Sequence, residues 1–145
     1  MEFGMACRAS TAAAVMLMVV VAGCRDQQRY SELEPQAERV ALEFVKALVD
    51  REFFTAYRLA SSELRESMGV QDLRDGFEAV VPPDWGPAGP LEIGRTMHDW
   101  ADRRLGDIVW VYVSIPGDVY SEAVTFVVTL EDEKLLVRSL EFGRP

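Results

Sequence analysis

Ile108-Val109-Trp110-Val111-Tyr112-Val113-Ser114-Ile115, then Pro116-Gly117-Asp118, then Val119-Tyr120-Ser121-Glu122-Ala123-Val124-Thr125-Phe126-Val127-Val128-Thr129-Leu130, is the stretch that decides the fold. Both runs are dominated by β-branched and aromatic residues, which suit a pleated, half-buried surface, and the Pro-Gly-Asp between them predicts a hairpin. A further run, residues 135–142, follows Asp132-Glu133, a turn without the glycine that a tight primed turn prefers. Upstream, Leu91, Ile93 and Met97 alternate with other residues and predict one more strand.

Ahead of these strands the apolar period is helical. Val40, Ala41, Phe44, Val45, Leu48 and Val49 recur at helix spacing over residues 35–50, with Glu38, Arg39, Glu43 and Lys46 on the other side. A second helix is expected from Glu52 through Phe53, Tyr57, Ala60 and Leu64, with Ser61-Ser62 as a break or restart. Leu73, Phe77 and Val80 predict a shorter third helix that contains Gly76. Residues 82–90, with four prolines, end helical structure because proline removes a donor and restricts the residue before it. Trp85 in this loop has two readings, a lid over a site or a plug at the end of the core. Helices followed by an antiparallel meander indicate an α+β domain.

The Ala41-Leu42-Glu43-Phe44-Val45 helix, the segment 53–59 and the closing hairpin 120–141 together resemble the nuclear transport factor 2-like, or cystatin-like, α+β roll. In that superfamily N-terminal helices pack on a curved antiparallel sheet. The stretches Trp110-Val111-Tyr112-Val113, Tyr120-Ser121-Glu122-Ala123-Val124 and Phe142-Gly143-Arg144-Pro145 look like those of uncharacterised bacterial envelope members. The superfamily holds isomerases, dehydratases, cyclases and noncatalytic binding domains, so the resemblance implies a fold and leaves the activity open.

The N-terminal end has the shape of an export signal: Arg8 supplies positive charge, residues 12–22 are apolar, and small residues close the run. Met5 offers an alternative start to Met1, which carries the acidic Glu2 behind it. A membrane span needs about 20 apolar residues, whereas charge returns at Arg25 and Asp26. Val21-Ala22-Gly23-Cys24 resembles the lipobox of bacterial lipoproteins. That resemblance implies lipid on the Cys24 sulfur, cleavage before Cys24, and a membrane partner reached through two or three acyl chains. The expected organisation is a signal peptide over residues 1–23, a lipidated cysteine and polar tether over 24–34, and one α+β domain over 35–145. Ser31, Glu34 and Pro35 also fit a helix start, through a capping box and an early proline. The implied location is the bacterial envelope: the outer membrane facing the periplasm in a Gram-negative cell, the outer face of the cell membrane otherwise.

The net charge is −9, and loss of residues 1–23 removes one base, Arg8, and one acid, Glu2, so it stays at −9. Such a surface repels nucleic-acid phosphates, which argues against a nucleic-acid partner. If Cys24 is lipidated, as the lipobox resemblance implies, Cys7 leaves with the signal and Cys24 is consumed as a thioether, which leaves no intrachain disulfide, cysteine nucleophile or thiolate zinc site. Asp99, Asp102 and Asp107 lack EF-hand spacing, and the chain has no nucleophile elbow, phosphate loop or dinucleotide fingerprint. No cofactor is expected.

Strand parity defines a candidate site. With Ile115 opposite Val119 and Glu131 opposite Lys134, one sheet face carries Trp110, Tyr112, Tyr120, Glu122, Val124, Phe126, Val128, Val137 and Glu141. Trp110, Tyr112, Tyr120, Glu122 and Glu141 are then ligand-binding candidates, while Glu122, Glu141 and the only histidine, His98, are the candidate proton-transfer groups. The other reading has Phe126 and Val128 meeting the helices, with Glu122 and Glu141 at the solvated margin of the sheet. His98 is expected to be an exposed or hydrogen-bonded structural histidine; the acid–base reading has it oriented by Asp99, Asp102 or a cavity carboxylate. The other face, with Val109, Val111, Val113, Ala123 and Val127, also reads as apolar, which suggests a homodimer or protein partner over one face. Two functions follow: a noncatalytic binding domain, or an isomerase or dehydratase working by general acid–base catalysis.

Overall fold

A computed structural model describes the backbone of residues 12–144 and side chains from Arg29 to Arg144. Glu2, Met5, Cys7 and Arg8 of the expected signal, and the Cys24 side chain, lie outside the described residues. The chain divides into two compact units, Met1–Glu32 and Leu33–Pro145. The second unit is α+β: helices followed by a four-stranded antiparallel sheet.

Helix α1 (Ala12–Val49) contains Pro35 and therefore does not begin at the expected Ser31 cap. Proline removes one intrahelical bond and crowds the carbonyl four residues back, but good helix formers such as Gln36, Ala37, Glu38 and Arg39 carry the helix onward. Its last turns bury Ala37, Ala41, Phe44, Val45 and Leu48. The helix ends in a Schellman motif: Arg51 N–H donates to the Leu48 carbonyl at 3.0 Å and Glu52 N–H to that of Ala47 at 2.8 Å. Arg51 takes the left-handed conformation, φ 63°, that this motif usually assigns to glycine.

Ser61 is the break expected between the next two helices. It separates α2 (Phe53–Arg58) from α3 (Ser62–Ser67), and its hydroxyl accepts from Leu64 N–H at 3.2 Å. Helix α4 (Val70–Val80) buries Leu73 and Phe77 and runs against the sheet at Gly76, where a Cβ would stand 2.6 Å from the Phe142 ring. That close approach accounts for the glycine inside a helix. Residues 82–90 form a loop with one 3₁₀ turn, Pro83–Trp85. Trp85 is partly exposed and packs on Tyr120, ring centroids 5.7 Å apart.

The sheet is a meander, β1 (Glu92–Met97), β2 (Asp107–Pro116), β3 (Ser121–Glu131) and β4 (Lys134–Phe142), in spatial order β1-β2-β3-β4. Asp132-Glu133 closes the β3–β4 hairpin with both residues at positive φ, 49° and 62°, so the glycine-free primed turn does form. The expected Glu131–Lys134 pair is present.

The β2–β3 register differs from the expectation. Ile115 stands opposite Glu122, not Val119, because the connection is longer: Gly117 N–H donates to the Tyr120 carbonyl at 2.9 Å and Pro116–Ser121 is the closing pair. A shift of three positions (122 − 119) is odd, so it exchanges the faces of β3 relative to β2. A bulge between Val127 and Val128 then moves Glu141 opposite Thr125, not Val124. The wall expected from the sequence therefore splits. Val109, Val111, Val113, Val124, Phe126, Val128 and Val137 share the face that meets the helices, where Phe126 touches Phe44 of α1 at 5.4 Å. The expectation of two apolar faces is also overturned, since the face away from the helices mixes Trp110, Tyr112, Ala123 and Val127 with Thr125, Ser139 and Glu141.

Candidate functional site

Residues 98–106 link β1 to β2 and border the sheet face away from the helices. An open groove of about 570 Å³ lies there, lined by Trp100, Arg103, Trp110, Arg138, Ser139 and Glu141, among others. β-Sheet pairing builds its floor. Met97, Trp110, Val127 and Ser139 form one row across the four strands, and Arg95, Tyr112, Thr125 and Glu141 form the next. The first row is apolar apart from Ser139, and the second carries its charges, Arg95 and Glu141, at its two ends.

The wall of the groove is held by a buried ion pair. Arg138 donates from Nε to Asp107 Oδ1 and from Nη2 to Asp107 Oδ2, both at 2.8 Å, and the two side chains are 10% and 0% exposed. Asp107 Oδ2 also accepts from Arg104 N–H at 2.8 Å, so the carboxylate is bonded from two sides. A two-pronged guanidinium bond fixes direction as well as distance. It ties β4 to the start of β2. Arg103 reaches the Asp107 carbonyl at 3.3 Å and places its guanidinium 5.8 Å from the Trp100 ring centroid.

The candidates named from the sequence do not converge. Trp110 and Glu141 line the groove, and Tyr112 shares their face. Glu122 is paired with Ile115 on the helix-facing side: the three-position register difference parts it from Trp110 and Tyr112, and the bulge beside Val127 parts it from Glu141. Tyr120 is buried in the β2–β3 connection, against Trp85 and beside a separate recess of about 440 Å³ that includes Arg51 and Val81. His98 is 62% exposed, with Nε2 3.4 Å from Glu34 Oε1; this is the exposed role expected for it, not the orientation by Asp99 or Asp102 that the acid–base reading calls for. Among the described residues no group of three or more His, Cys, Asp or Glu side chains is placed to hold a metal ion. Nor is any helix among them long and apolar enough to cross a membrane.

No family model, curated protein or solved structure matches this chain. The site therefore stands on its own geometry. Trp100, Arg103, Arg104 and Arg138 are groove residues that the sequence reading missed. For the first three a signal was present, a tryptophan and two arginines within Trp100-Ala101-Asp102-Arg103-Arg104 between two strands. Arg138 has none, since the bulge that aims it at Asp107 is a property of pairing between strands.

Tryptophan and arginine are the residues most enriched at protein-recognition surfaces, where a flat apolar body and a planar charge are desolvated together. Chemically, the groove offers two indole rings, guanidinium donors and the exposed acceptor Glu141. Such an arrangement can bind a partner, with orientation imposed by charge.

Proposed function

We propose that the protein is a lipid-anchored binding domain of the bacterial envelope, which recognises a protein segment through the Trp100–Trp110 groove and performs no chemistry on it. The observation that carries this reading is the groove itself, an aromatic and arginine-lined surface on the sheet face that the helices leave open. The lipobox-like Val21-Ala22-Gly23-Cys24 supports anchorage, and anchorage raises the local concentration of the domain beside envelope partners. The order of helices and meander is in keeping with the nuclear transport factor 2-like roll, a scaffold used by binding domains as well as enzymes. The acid–base alternative would use a cavity carboxylate, Glu122 or Glu141, or His98, converging around one space; the opposite faces of Glu122 and Glu141 and the exposure of His98 lend it no support.

Intact mass of the protein from its native membrane tests the anchor. Loss of residues 1–23 with added acyl mass, abolished by Cys24→Ser, is the expected result, and an unacylated mature chain would refute it. A photocrosslinking residue at Ser139 in the groove, beside one at Phe54 on the helical side, tests the binding surface in the same cells. A discrete adduct from position 139 alone is expected; equal labelling from both positions, or none from 139, argues against the groove.

A further inference from the structure

Leu105 is 96% exposed, more than any other large apolar side chain described. It is also held out on a fixed tip. Arg104 Nη1 reaches both carboxylate oxygens of Glu63 on α3 at 2.7 and 2.9 Å, and Arg104 N–H donates to Asp107. On the other side, the Gly106 carbonyl accepts from Leu130 N–H at 2.9 Å. These bonds hold the residues on both sides of Leu105, so its side chain stands in water, where an apolar group gains by meeting another apolar surface.

The place of this tip in the fold says what that something is. His98, the first residue after β1, touches Glu34, so the 98–106 connection begins at the end of the domain where the chain enters at Leu33. Cys24 precedes Leu33 by nine residues (33 − 24), a reach of about 14 Å if helical and no more than about 32 Å if extended. We infer that Leu105 inserts into the lipid surface to which Cys24 anchors the chain and so fixes which way the groove faces. The inference rests on the lipid-anchored reading and adds a second, protein-borne contact to it. Asp99 and Asp102 balance Arg103 and Arg104 in the connection, and the acidic Asp132-Glu133 turn follows Leu130 and Glu131 at the same end of the sheet. The contact is therefore apolar, favours zwitterionic headgroups, and weakens as anionic lipid is added.

On the lipidated chain an introduced cysteine is the only free thiol, since Cys7 is removed and Cys24 is consumed. The acylated protein is placed in phosphatidylcholine vesicles with an environment-sensitive label at Leu105→Cys, or at Val119→Cys on the far hairpin, and quenched by lipid-borne nitroxides. Strong quenching at 105, at least several-fold above that at 119, is expected, with a decline as phosphatidylglycerol is added. A label at Ala101→Cys should show quenching with Leu105 intact and lose it with Leu105→Asp, an exposed change that leaves the core untouched. Equal, weak quenching at 105 and 119 in acylated protein overturns the inference and leaves the anchor standing. A label at 105 that is shielded but unreachable by lipid nitroxides means that a second copy covers the tip, which also overturns it. Protein with no acyl mass removes both readings.

Discussion

Asp107 and Arg138 show how much of the groove depends on single side chains. A carboxylate with no exposed surface has lost its hydration, and the bidentate guanidinium replaces it only while both partners are present. Arg138→Met should therefore cost about 3–5 kcal/mol, the scale for stranding a buried charge. Adding Asp107→Asn, which removes the charge and keeps an acceptor for Arg104 N–H, should recover more than half of it. Urea unfolding of the three chains checks this; a double variant no more stable than Arg138→Met would place the cost in lost packing and not in the stranded charge. Arg51 is a second residue whose identity is set by its neighbours. Glycine would relax its φ of 63°, but the arginine side chain donates to the Val81 carbonyl at 2.9 Å and lies over the Phe77 ring, 5.1 Å from its centroid.

The elements were legible where the apolar period was strong. The helical stripe through Phe44 and Leu48, the break at Ser61 and the strands around 108–115 and 121–130 all follow from local spacing. Two boundaries were not. Pro35 sits within α1, because proline weakens a helix without forbidding it, and the β2–β3 connection takes in Val119 and Tyr120, which by composition belong to a strand. The Asp132-Glu133 turn yields a prediction at this scale. Both residues hold left-handed conformations that cost an ordinary side chain roughly 1 kcal/mol or more. Glu133→Gly should raise stability by about 0.5–1 kcal/mol after glycine's extra unfolded-state entropy, seen as a higher melting temperature with the same unfolding slope in denaturant. A lower melting temperature would mean that the Glu133 side chain contributes more than its backbone strain costs.

At the scale of the molecule, the second unit contains its own core, from Ala37 on α1 to Val137 on β4. A fragment spanning Leu33–Pro145 should fold alone and unfold in one cooperative transition, checked by circular dichroism and a thermal melt; a broad melt would show that preceding residues contribute to the core. The sequence by itself determined the class of the domain, its order of helices and strands, the lipobox-like segment and the acidic charge, because each is written in residues close together in the chain. Tertiary structure alone decided which carboxylates and aromatics share a face. Side chains alternate every residue along a strand, so the three-position register difference at Ile115 was enough to separate Glu122 from Trp110 and Tyr112, and the one-residue bulge beside Val127 to separate it from Glu141. The same pairing brought Arg138 to Asp107 and opened the groove beside Trp110, at sequence separations where no local pattern can act.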